Sequence, residues 1–195
     1  MVRVEERVTK KAARPVSQMT KFGLILGAIC LAATLVLALT YEVTKPIIAA
    51  EMYREEQEAL KFIMPEADLF KPGTVGDIEY FEAMKGPALA GYCIKVTGSG
   101  YGGYMRIIVG IDTGGVIKGL RILEHQETPG LGSRINETRP GESEPYFLRQ
   151  LKGKNAGTVT VRRGVDAITG ATISSKAVTD AINKAVTELL DQVKK

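Results

Sequence analysis

The stretch "DAITGATISSKAV", residues 166–178, sets four hydroxyl side chains, Thr169, Thr172, Ser174 and Ser175, around Gly170 and Ala171, behind the lone carboxylate of Asp166. An amphipathic run follows at once. Two chemistries fit. One is structural: Thr172, Ser174 or Ser175 accepts a hydrogen bond from the free amides of a helix start. The other is a phosphate site. Gly170 and Ala171 leave the backbone uncrowded, and the first-turn N–H groups at the positive end of a helix favour an anion. A threonine hydroxyl there can itself carry a phosphoester. A cap needs one hydroxyl, and this stretch offers four.

A second stretch, "EHQETPGLGSRI" at 124–135, holds His125, the only histidine of the chain, close to Glu127 and followed by Thr128-Pro129-Gly130-Leu131-Gly132. A rigid Pro-Gly turn flanked by polar groups suits the close approach of a planar ligand. It suits an ordinary surface loop equally well. A third stretch, "GSGYGGYM" at 98–105, has GxGxxG spacing but no P-loop Lys-Ser/Thr, and it lies between strand-like pieces instead of opening a helix. It is expected to be a glycine hairpin. With one histidine, a multi-histidine metal site is excluded. Cys30 and Cys93 sit in unrelated contexts and are expected to remain unpaired, as small hydrophobes.

Elements must position these stretches. After Ala171, the apolar residues Ala177, Val178, Ala181, Ile182, Ala185, Val186, Leu189, Leu190 and Val193 recur with helical period, with Lys176, Asp180, Lys184, Glu188 and Asp191 off that face. This predicts a long terminal helix packed on a sheet. "AGYCIKVTG", "YMRIIVGID" and "GVIKGLRIL" predict an antiparallel meander, because their connections are too short for parallel crossovers. "PYFLRQLKG" predicts a short helix and "GTVTV" a brief strand. Strands between helices make the fold class α+β.

The N-terminal region is of another kind. Residues 22–41, "FGLILGAICLAATLVLALTY", contain no charge, and about 20 helical residues cross a bilayer core. Phe22 and Tyr41 mark the two ends where aromatic rings favour the interface. A cleaved signal peptide would have a shorter apolar core and a closer small-x-small site than Ala49-Ala50 offers, so a retained anchor is expected. Thr44 and Pro46 predict the N-cap and first turn of a separate helix that ends before Pro65. The first 21 residues hold six of the 26 basic side chains and two of the 22 acidic ones, leaving 20 of each in the rest. A neutral body argues against nucleic acid. Bases before the span and acids after it put the N-terminus in the cytoplasm and the body outside a bacterial inner membrane. The expected organisation is a cytoplasmic tail at 1–21, a transmembrane helix at 22–41, a juxtamembrane helix at 42–65 and a ligand-binding domain at 66–195.

Taken together, these motifs give the chain a family likeness. It resembles the G subunit of the Rnf complex, an ion-translocating ferredoxin:NAD oxidoreductase, and more distantly is similar to the C subunit of the sodium-translocating NADH:quinone reductase. The likeness rests on the anchor, the GYGG region, the HxETPGLG stretch and a terminal Asp-x-x-Ser/Thr-Gly-Ala-Thr-x-Ser/Thr motif, here Asp166, Thr169, Gly170, Ala171, Thr172 and Ser174. It implies an extracytoplasmic FMN-binding domain in which the flavin is joined through its phosphate to Thr172 by a flavin transferase that moves FMN from FAD. It also implies that His125, Glu127, Thr128, Gly130 and Leu131 lie along the flavin pocket. The partners implied are the membrane and iron–sulfur subunits of a redox-driven translocase, and turnover belongs to that complex. An FMN-binding sensor and a stand-alone extracytoplasmic flavin reductase are the alternative expectations; they lack, respectively, an output domain and a second substrate motif.

Overall fold

The computed structural model describes residues 15–161 and 163–193. The chain divides into two compact units, Met1–Met52 and Tyr53–Lys195. In the first unit, helix α1 starts at Pro15, and it runs on to Ile63 as one helix of 49 residues. It is long and apolar enough to cross a membrane. Three of its threonines are satisfied within the helix. The hydroxyls of Thr34, Thr40 and Thr44 donate to the carbonyls of Cys30, Val36 and Thr40, each at 2.8 Å. An apolar helix thereby carries hydroxyls without leaving a donor bare toward lipid.

The same contact corrects one expectation. Thr44 bonds backward to Thr40 and does not cap a new helix, and Pro46 lies inside α1. A proline in a helix interior removes one N–H and crowds the carbonyl four residues earlier. The preference of proline for a first turn was the reason to expect a helix start here, and α1 instead continues through Pro46.

The second unit is built on a five-stranded antiparallel sheet in sequential order: β1 (Leu69–Val75), β2 (Ile78–Lys85), β3 (Ala88–Ser99), β4 (Tyr104–Asp112) and β5 (Ile117–His125). β3 to β5 are the meander expected from the sequence. The β1–β2 hairpin is an addition. It closes on Gly76-Asp77 and joins β3 through Gly86-Pro87, with both glycines at φ +58°. These are two-residue connections whose first position needs a glycine.

One face of the sheet is covered by α3 (Thr172–Val193). Val178, Ile182, Val186 and Leu189 are buried with Ile94, Val96, Met105, Ile107 and Val109. The opposite face takes the last turns of α1. Ala59, Leu60, Ile63 and Met64 pack with Phe81, Ala83, Cys93 and Ile108. The facing pair Gly110 and Gly119 makes room for Ile63, whose side chain an added Cβ on Gly110 would strike. Burial pushes the Cys93 thiol up to about 12, so it stays protonated and inert. Lys95 fastens this face, with Nζ 2.8 Å from Glu56 of α1 and 3.0 Å from Glu79 of β2. Short helix α2 (Tyr146–Arg149) adds Phe147 and Leu148 to the core, and a parallel pair, β6 (Thr160–Val161) and β7 (Gly164–Val165), leads into α3.

The β4–β5 turn is held by Asp112. Its Oδ1 accepts from the amides of Gly114 and Val116, both at 2.9 Å, and its Oδ2 lies 3.4 Å from Lys118 Nζ. Burial raises the carboxyl pKa, but the Val116 and Gly114 amides and Lys118 outweigh it, and the net shift is downward. A depressed carboxylate stabilises the fold above its unfolded pKa and loses that contribution as pH falls through its folded one. Asp112→Ala should therefore lower stability by about 2 kcal/mol at neutral pH. The gap to the wild type should close in strong acid, as chemical denaturation at the two pH values would record.

Candidate functional site

The start of α3 is shaped by a turn. Ala171 N–H donates to the Ile168 carbonyl at 2.8 Å, and Gly170 has φ +82°. This is the geometry in which the third turn position requires glycine. Ser175 then fastens the turn from inside the helix. Its hydroxyl accepts from Ile168 N–H at 3.1 Å and donates to the Ala171 carbonyl at 2.9 Å. Ser174 and Ser175 are buried, whereas Thr169, Gly170 and Thr172 are exposed.

The capping expectation is thus not met: Ser175 accepts from Ile168, ahead of the helix, and among the described residues neither Thr172 nor Ser174 accepts from a first-turn amide. The helix begins at Thr172, so Ala171 occupies the capping position and offers no side-chain acceptor. Among the described residues, the first-turn amides of Thr172, Ile173 and Ser174 receive no protein acceptor. An uncapped helix start that displays a free threonine hydroxyl has the donors and dipole sign for a phosphate.

The second stretch follows β5 at the same end of the sheet. His125 closes β5 opposite Met105, and Met105 is also close to Gly98, beside Ala177 and Ala181 of α3. His125 is half-buried, and its Nδ1 is buried without a hydrogen-bond partner. Glu127 turns inward and is 6% exposed. Its carboxylate accepts from Tyr101 N–H at 2.9 Å and Gly102 N–H at 3.3 Å, both in the β3–β4 connection. The expected glycine hairpin is therefore present, and its glycines have steric causes. An added Cβ on Gly100 or Gly132 would strike the Glu127 carboxylate, and one on Gly102 would strike the Gln126 carbonyl. Thr128 shapes the Pro-Gly turn, its carbonyl accepting from the amides of Leu131 and Ser133. Gly130 has φ +75° and donates to Ser133 Oγ at 2.9 Å.

The two stretches meet. An added Cβ on Gly170 would sit 3.5 Å from Leu131 Cδ2. A cleft of about 230 Å³ is lined by Asp166, Ala167, Ile168 and Thr169 together with Arg134, Glu137, Arg139 and Tyr146. It is smaller than the roughly 300–1,000 Å³ of pockets that enclose a ligand. A more open hollow of about 550 Å³, lined by Gly130, Ser133, Arg134 and Glu137, shares Arg134 and Glu137 with it. Asp166 is held by its backbone: its N–H donates to Gln150 Oε1 at 2.8 Å, and its carbonyl accepts from Gln150 Nε2 at 3.3 Å. Its carboxylate is left exposed.

Several members of this end went unseen in the sequence. Gln150 and Ser175 act through backbone bonds that no motif announces. Arg134 sits in the 3-10 helix Gly132–Asn136, and Arg139 stacks on Tyr146, 3.7 Å from the ring centre. Only the run "GSRINETRP" at 132–140, with two arginines after the glycines, hinted at them.

A long apolar helix followed by an α+β domain, with residues 100–187 matching an FMN-binding domain and residues 11–63 matching an RnfG N-terminal region, defines the class: a helix-anchored FMN-binding module. The chain is 30% identical to the G subunit of the proton-translocating ferredoxin:NAD(+) oxidoreductase complex of Clostridium ljungdahlii, across 82% of this chain and 85% of that one. It is 34% identical to the G subunit of the Na(+)-translocating ferredoxin:NAD(+) oxidoreductase complex of Acetobacterium woodii, across 85% and 89%. The G subunit of the ion-translocating oxidoreductase complex of Cereibacter sphaeroides matches at 33% identity, across 85% and 81%. The chain belongs to this G-subunit family. Among solved structures, Shewanella oneidensis NqrC overlays with a TM-score of 0.49 at 20% identity, across 68% of this chain and 73% of that one.

The residues fit an FMN. The uncapped amides and exposed hydroxyl at Thr172 suit its phosphate, the open cleft suits a ring left at the surface, and the orphaned His125 Nδ1 is a polar group lacking a partner at the same end of the sheet.

Proposed function

We propose that this chain is the covalent flavin subunit of an ion-translocating ferredoxin:NAD oxidoreductase complex, relaying electrons through an FMN esterified to Thr172. The observation that carries the reading is the exposed hydroxyl of Thr172 on an uncapped helix start that adjoins the HxETPGLG loop. In attachment, Thr172 Oγ forms a bond to the flavin phosphorus of FAD and the pyrophosphate bond breaks. AMP leaves, and the hydroxyl proton passes to a base on the flavin transferase.

This chain's own residues then divide the work. The Thr172–Ser174 amides hold the phosphodiester. Asp166 and Thr169 present the motif to the transferase, and Gly170 and Ala171 keep the approach clear. His125, Thr128, Gly130 and Leu131 border the flavin. Glu127 acts from behind, by fixing the loop to the β3–β4 connection. When bound, FMN supplies one- and two-electron transfer, the ability a relay between unlike partners needs. Neighbouring subunits, among them iron–sulfur and membrane proteins, supply and take the electrons.

Residues 22–41 form the span in this reading, residues 1–21 face the cytoplasm and the flavin domain lies on the outer side of the inner membrane. On a cysteine-free background, a cysteine at exposed Lys184 should react with an impermeant maleimide in intact spheroplasts, and one at Val2 only after lysis. The reverse pattern would overturn the orientation. For the relay itself, reduced ferredoxin added to the assembled complex should bleach the Thr172-bound flavin within one turnover. A flavin that stays oxidised over many turnovers would place it off the electron path.

A further inference from the structure

The two edges of the sheet are unlike. On β1 the edge carries Lys71 and Pro72, a charge and a residue without an N–H, two devices that discourage another strand from pairing. The β5 edge has no proline. Its first residue is already paired outward: Ile117 N–H donates to the Lys154 carbonyl at 2.9 Å, its own carbonyl accepts from Gly153 N–H at 2.8 Å, and Val116 bridges Asn155. Beyond Ile117 this pairing stops. Among the described residues, no backbone group from Lys118 to His125 bonds to anything outside β4.

The bare portion lies in a groove. Leu120, Arg121, Ile122 and Leu123 line it. Asn136, Thr138, Ser143, Pro145 and Leu148 also line it, as do Glu55 and Phe62 of α1. The groove encloses about 500 Å³. Register shifts on either side leave Gly119 to Ile122 as a regular ladder against β4. Arg121 is exposed over the Phe62 ring, 5.9 Å from its centre, and forms no ion pair among the described residues.

We propose that this groove receives an extended segment of another subunit of the complex, which adds a sixth strand along Gly119–Ile122. The occupant's backbone continues the pairing that Gly153–Asn155 begins at Ile117. Main-chain bonds to a bare edge give such contacts affinity, and alternating side chains give them specificity. The groove sets that alternation: apolar residues face Leu120, Pro145 and Leu148, and an acidic residue faces Arg121. The contact lies on the β5 edge and does not depend on flavin attachment, so it is separable from the flavin chemistry.

Hydrogen exchange on the wild-type chain tests this, with the isolated protein compared with the purified complex. The peptide spanning Gly119–Leu123 should exchange about tenfold more slowly in the complex, while that spanning Leu69–Val75 is unchanged. The same protection should appear in the Thr172→Ala complex. A photoreactive phenylalanine in place of Arg121 should cross-link, within the purified complex, to an extended segment of another subunit that alternates apolar and acidic residues. Equal exchange in both states, or cross-links confined to lipid or to a second copy of this chain, would overturn the proposal.

Discussion

Thr172→Ala should carry no covalent flavin. Co-expressed with a flavin transferase, the wild-type chain should gain the mass of one FMN less one water, and the alanine variant should show the bare chain by intact-protein mass spectrometry. The variant should fold as well as the parent. Thr172 is exposed and its hydroxyl makes no hydrogen bond among the described residues, so its removal should cost no more than about 0.5 kcal/mol. That separates the chemical role of the hydroxyl from a structural one, which Ser175 already fills. Thr169→Ala should keep part of the label, because Thr169 is the second position of the preceding turn and not the helix start. A full flavin mass on Thr172→Ala would move the tether, with Thr169 the next hydroxyl to test.

Glu127→Gln should destabilise the flavin end from within. The carboxylate is buried and accepts from two backbone amides. The glutamine amide keeps the shape but turns one acceptor into a donor, which then faces a backbone N–H. Hydrogen bonds to charged groups contribute about 1.5–3 kcal/mol, and a donor facing a donor leaves both unmet. A loss of about 2 kcal/mol lowers the unfolding midpoint by roughly 4–8 °C in a domain of this size. Gly132→Ala should act through the same carboxylate and in the same direction, since its Cβ has nowhere to go without displacing Glu127. Differential scanning calorimetry of both variants, unflavinylated, measures this apart from any redox readout. An unchanged midpoint in both would mean that Glu127 does not fasten the two loops.

These expectations show where the sequence was legible. The terminal helix was readable because its apolar period matches one buried face, with Val178, Ile182, Val186 and Leu189 all inside. The β3–β5 meander was readable because three short runs rich in β-branched residues are joined by connections too short for a crossover. The β1–β2 hairpin was harder to see: β1 is largely exposed, with Lys71, Pro72 and Gly73 at its centre, and shows no apolar alternation. The continuity of α1 past Pro46 runs against local propensity, and Thr44 can bond backward inside a helix as readily as it can cap one.

The motif residues were visible by type and spacing, but their directions were not. Nothing in "HQETPG" says that Glu127 faces the hairpin backbone while Thr128 faces solvent. That orientation depends on the glycines at 100, 102 and 132, which lie up to 27 residues before Glu127 and five after it and become its neighbours only on folding.

The central claim, an electron relay through a flavin tethered at Thr172, meets its most direct test in the assembled complex. Membranes or purified complex bearing Thr172→Ala should contain every subunit in normal proportion and lose nearly all ferredoxin:NAD oxidoreductase turnover, by about a hundredfold or more, as expected when a required carrier is missing from an electron chain. Turnover at the wild-type rate in a fully assembled Thr172→Ala complex would contradict the account.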